Sequence, residues 1–207
     1  MPKISQSIEK LVLSRIYGRG RGSVVSPSDF LDLGSRGGVD LALSRLTKKG
    51  ILRRVDRGVY GYPEKSRLIG ELSPRPEEVA KALARRGNRR LLPSGAYAAN
   101  LLGFTEQVPV KVEYLTDGPT RRVMIRKLPV TLKQTTPARL ATAGRVSGTV
   151  AQALRFLRKE RVDDAIVEKL RKRLSEDDKK QLLRDIPLVP AWVGETFRRV
   201  AEPGEKQ

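Results

Sequence analysis

Two helix-start signals in quick succession, Ser26-Pro27 and Ser35, constrain this chain more than any other feature. A serine side chain can accept from the free N–H groups of a first helical turn. Proline suits the first helical position, where its missing N–H has no partner to lose. Asp29, three residues after Ser26, completes a box-like signature. The helix so begun is short, because Gly34 offers a left-handed exit before Ser35 starts the next. In that second helix Val39, Ala42, Leu43 and Leu46 recur at helical spacing and define one apolar face. Lys48, Lys49 and Gly50 end it. Two strand-like runs follow, 51–55 and 59–62, joined by the tight turn Asp56-Arg57-Gly58. Helix, short turn, helix and an arginine-tipped hairpin form the pattern of a winged helix-turn-helix.

The opposite face of the second helix points to a ligand. Arg36, Gly37, Asp40, Ser44, Thr47 and Lys48 fall there, small and polar toward the helix start. A recognition helix enters a major groove by its N-terminal residues, where bulk would block approach. Gly37 and Gly38 each weaken a helix by up to about 1 kcal/mol relative to Ala, so a close backbone approach is the expected reason for keeping them. The hairpin adds Arg53, Arg54 and Arg57, suited to phosphates or a minor groove. Ser35, the cap, and Arg45 complete the DNA-binding candidates. The alternative is a small helical domain with a solvated basic face.

Charge agrees with a polyanionic partner. Lys and Arg number 42 against 23 Asp and Glu, a net charge of +19 over 207 residues. A field of that sign speeds encounter with nucleic acid and adds salt-dependent affinity. The first 62 residues hold 12 of the basic and 5 of the acidic side chains, so charge alone does not confine the binding surface to them. The complete lack of Cys and His excludes a Cys/His zinc site, a thiol nucleophile and any His-dependent triad. No phosphate loop, kinase signature or Asp pair at metal-binding spacing is present, and Asp163-Asp164 and Asp177-Asp178 read as helix-start acids. No catalytic residue, metal ligand or cofactor site is therefore assigned. Met1-Pro2-Lys3 opens no signal peptide and no long apolar run follows, so a cytoplasmic protein without a membrane segment is expected.

Along the chain, Ser7 to Ile16 reads as a first helix, broken by the Gly/Arg run 17–22, a basic connector. Val24-Val25 is expected to pair with the hairpin. Prolines mark 64–76 as a linker between a first domain, 1–63, and a second, 77–207. The second opens with helices at 77–86 and after Ser94, whose alanines suit close packing on a sheet. A hairpin of 111–115 with 122–125 and a third strand at 129–133 follow. The rest is helical. Trp192, Phe197 and Arg198 near the end stand as either core packing or a protein-binding patch. The expected class is α+β: an N-terminal winged helix-turn-helix followed by a domain of helices with a small antiparallel sheet.

Several blocks resemble a known family. They are Ser26-Pro27-Ser28-Asp29-Phe30-Leu31, Leu52-Arg53-Arg54 through Gly58-Val59-Tyr60, Gly70-Glu71-Leu72-Ser73-Pro74, Pro93 to Gly103, and Tyr114 to Pro119. Together they resemble the AbiEi-type antitoxins, and most closely their short branch. The resemblance implies a winged-helix autorepressor of its own operon with a C-terminal antitoxin domain. It also implies a partner, an AbiEii-type nucleotidyltransferase toxin encoded beside it. A stand-alone DNA-binding regulator and an antitoxin that modifies its toxin covalently remain alternatives. The expected DNA partner is an operator with an inverted repeat in the chain's own promoter, bound by two copies of a protein that is monomeric when free.

Overall fold

The computed structural model describes residues 7–68, 70–105 and 110–202, so the opening Met1-Pro2-Lys3 lies outside the described residues. The fold is α+β. The chain divides into two compact units, 1–89 together with 122–130, and 90–121 together with 131–207.

The first unit begins with α1, Ile8–Arg19, capped by Ser7, whose hydroxyl accepts from Lys10 N–H. It runs three residues past the expected end and stops at Gly20, whose φ of 81° suits glycine. β1 is Val24–Val25. The Ser26 signal is used as expected, with Asp29 accepting from Ser26 N–H at 2.7 Å, but it starts a single 3₁₀ turn, Pro27–Phe30. Gly34 has no positive φ; a Cβ there would lie 2.6 Å from Ile8 Cδ1, so the residue is small to admit α1. α2, Arg36–Lys48, is capped by Ser35, which accepts from Gly38 N–H. Its Val39, Ala42, Leu43 and Leu46 are buried with Val12, Ile16, Val25, Phe30 and Leu52 in one core.

β2, Arg53–Asp56, and β3, Val59–Gly61, turn at Gly58, φ 68°. β1 pairs antiparallel with β3, Val24 opposite Gly61, giving the strand order β1-β3-β2. A register shift between Arg54 and Asp56 bends the hairpin near its tip. The stretch expected to be a linker folds instead into a small antiparallel pair, β4, Lys65–Ser66, with β5, Gly70–Glu71. α3, Pro76–Arg86, then groups with the first unit rather than with the second. Arg85 explains why: its guanidinium donates to the Asp29 carboxylate and to the Val24 carbonyl, at 3.0 and 2.9 Å.

The second unit opens on β6, Leu91–Pro93, a strand not expected from the sequence, and α4, Gly95–Leu101. The small face of α4 meets a helix rather than a sheet. A Cβ on Gly95 would lie 2.9 Å from Phe156 Cβ, on α5, Val146–Leu157. β7, Val112–Thr116, β8, Arg121–Ile125, and β9, Leu128–Gln134, complete a sheet of order β6-β7-β9-β8, of which residues 122–130 count with the first unit. The expected hairpin of β7 with β8 therefore does not form. Arg126-Lys127 turns β8 directly onto β9, which takes the place beside β7. α6, Asp164–Arg173, α7, Glu176–Arg184, and α8, Ala191–Ala201, pack with α4 and α5 around Val150, Leu154, Leu170, Leu182 and Phe197. Under that core sits a buried carboxylate, Asp185, which accepts from Arg145, Ser147 and Gln181. Among the described residues no helix is long and apolar enough to cross a membrane.

Candidate nucleic-acid interface

α2 separates its residues by chemistry. The buried stripe faces the first core, while Ser35, Arg36, Gly37, Ser44, Arg45 and Lys48 are exposed and Asp40 is half-buried. The outer side near the start of the helix is small at Ser35 and Gly37 and also carries the exposed Arg36 and Leu41. Gly37 has nothing within 4 Å of a Cβ position, so it leaves open surface. Its neighbour Gly38 has a different reason, since a Cβ there would lie 2.7 Å from Ile8 Cδ1. Thr47, placed on the outer face by spacing, turns its hydroxyl back onto the Leu43 carbonyl at 2.8 Å.

Salt bridges decide which cations remain available. Arg36 Nε meets Asp40 Oδ2 at 3.0 Å, one helical turn on, with both ends solvated. Exposed pairs of this kind contribute about 0.3–0.5 kcal/mol, so a better partner displaces them readily. Arg45 lies 3.8 Å from Glu9, and Lys49 only 2.5 Å from the same carboxylate, so this corner of α2 is tied to α1. Arg53 pairs loosely with Glu71 at 3.5 Å. Lys48, Arg54 and Arg57 are exposed and make no ion pair among the described residues. At the hairpin tip the Arg57 carbonyl accepts from Arg86 at 2.9 Å, which braces the turn and leaves its guanidinium to solvent.

Behind this face lies a group that sequence reasoning treated only as a cap. Asp29 is nearly buried, its side chain 5% exposed, between Arg85 at 3.0 Å and Arg19 at 3.2 Å. Burial pushes its carboxyl up. The Ser26 N–H, the Arg85 and Arg19 guanidiniums and the Ser26 hydroxyl outweigh that and hold it below the ordinary carboxylate range. The Arg85 contact spans 56 residues, and no local pattern announces it.

The candidate protein-binding patch is not assembled as one surface. Phe197 is fully buried in the second core and Trp192 is half-buried against it, whereas Arg198 is exposed and pairs with Glu195 at 3.1 Å. The packing alternative thus holds for Phe197, because its apolar helical spacing matches that of Val193 and Val200. No cluster of three or more acidic side chains that could hold a metal occurs among the described residues.

Comparison with known proteins places the chain in a family. The family of unknown function DUF6088 matches residues 11–182, and the chain belongs to it. No curated protein matches the chain.

Proposed function

We propose that this member of the DUF6088 family binds operator DNA through its first unit, as a winged helix-turn-helix, and represses its own operon. The observation that carries the reading is α2 itself. One face is locked into a core, and the other is small and cationic at its N-terminal end, next to a hairpin whose Arg54 and Arg57 make no ion pair among the described residues. The strand order β1-β3-β2, with the hairpin following α2 directly, supports it. In this reading Arg36 leaves Asp40 to donate to guanine O6 and N7, and Asp40 accepts from a cytosine amino group. Arg53, Arg54 and Arg57 meet phosphates or a minor groove. The second unit serves neutralisation of a nucleotidyltransferase toxin, as the resemblance to AbiEi-type antitoxins implies.

The test is footprinting and titration on the chain's own promoter. Arg36→Ala is expected to lose roughly 1–3 kcal/mol on the specific site alone. Arg57→Ala weakens all sequences evenly and lowers the salt slope by about one. Operator affinity unchanged in both variants rejects the reading. Growth rescue on co-expression with the neighbouring toxin tests the second unit separately.

A further inference from the structure

The turn joining β8 to β9 contains no glycine, yet Arg126 holds φ at 53°. That left-handed conformation is uncommon for a residue with a Cβ. Arg126 Nη2 donates to the Glu71 carbonyl at 3.0 Å, fixing the side chain as well. Residues 122–130 belong to the first unit, and within it Arg126 lines a cleft of about 200 Å³ together with Arg53 and Arg54 of β2. Val55, Leu72 and Ile125 supply apolar lining, and Met124, 47% exposed, stands at its edge. Along β8, Arg122 and Met124 are exposed while Val123 and Ile125 are buried, so Arg122 shares the outward face and continues the cationic surface.

Three arginines line this cleft, and among the described residues the carboxylate that pairs with one of them is Glu71, 3.5 Å from Arg53. Arg54 makes no ion pair among the described residues. Gathered like charges repel until an anion enters, and the planar guanidinium fork matches phosphate oxygens two at a time. The cleft is smaller than the roughly 300–1,000 Å³ of typical small-molecule sites. It admits a phosphate group, with apolar lining for an adjoining sugar.

We propose that this cleft is a phosphodiester clamp in which the β8–β9 turn extends the grip of the β2–β3 hairpin on duplex DNA. The proposal rests on the DNA-binding reading and adds to it residues from far along the chain. It assigns Arg126 and Arg54 to backbone contacts that position the duplex without reading its sequence.

Anisotropy of the full chain on a duplex from its own promoter, and on a scrambled duplex, decides the matter between about 50 and 200 mM salt. Arg126→Asn removes the charge while suiting the left-handed turn. It and Arg54→Gln are each expected to weaken both duplexes several-fold and to lower the salt slope by about one. Arg126→Lys keeps the slope. Arg36→Ala loses only the promoter preference. Wild-type affinity and slope in Arg126→Asn, with Arg36→Ala and Arg54→Gln still impaired, overturn the clamp and leave the DNA-binding reading standing. No binding of wild type to either duplex rejects that reading itself. An effect confined to single-stranded RNA overturns the duplex assignment. Thermal melting accompanies each variant, and if Arg126→Asn melts early, Arg126→Gly, which suits the positive φ, decides in its place.

Discussion

Phe197 and Arg198 are neighbours on α8 with opposite surroundings, one sealed in the second core and the other in solvent beside Glu195. Truncating a buried phenylalanine removes its transfer energy and leaves a cavity, so Phe197→Ala is expected to cost about 3–5 kcal/mol in urea unfolding. Arg198→Ala should stay within about 0.5 kcal/mol. Equal small effects would mean that Phe197 is not core. At this scale the sequence was legible where the cause was local. The Ser35 cap, the stripe Val39-Ala42-Leu43-Leu46 and the tight turn at Gly58 all follow from residues within a few positions. Gly34 was not legible, because its reason is Ile8, which reaches it only through packing of α1.

At the scale of elements, Asp29 is the joint that gathers α1, the 3₁₀ turn and α3. Its folded carboxyl lies below the ordinary range, so the unfolded chain takes up a proton first as pH falls. The stability it provides is therefore complete above its unfolded value, near 3.8, and disappears as pH drops through the lower folded value. Asp29→Asn is expected to cost about 1–3 kcal/mol at neutral pH, since it leaves Arg85 and Arg19 facing a neutral amide. The gap from wild type should narrow below pH 3.8 in denaturant titrations. A gap independent of pH would show that the carboxylate charge is not what holds the joint. The same joint explains the misplaced boundary. Prolines between 63 and 76 signal only that no helix forms there. Whether α3 turns back onto the first unit depends on Arg85, 56 residues from Asp29. The order β6-β7-β9-β8 escaped for a related reason: Arg126-Lys127 makes a tight turn without the glycine that usually advertises one.

For the whole molecule the governing quantity is the net charge of +19. Like charge opposes self-association of the free chain. On the proposed DNA-binding reading, a single winged module would bury only roughly 600–1,000 Å² on DNA, which is little against a genome of competing sites. Two copies on an inverted repeat make the second contact effectively intramolecular and raise overall affinity by about 10²–10⁴. The expected result is a monomer in sedimentation and cooperative filling of paired half-sites in titration. Equal per-site affinity on single and paired half-sites would exclude cooperativity, and a tight dimer without DNA would show that charge does not govern assembly.

The assignment of residues 122–130 to the first unit also has a consequence in time. A ribosome releases the chain in order, and the piece that completes the first unit emerges about 40 residues after Arg89. At about 5–20 residues per second the wait is roughly 2–8 s. During it, β2 and the arginines beside it stand without their partner turn. A transcript broken between those points yields α2 but not the finished unit.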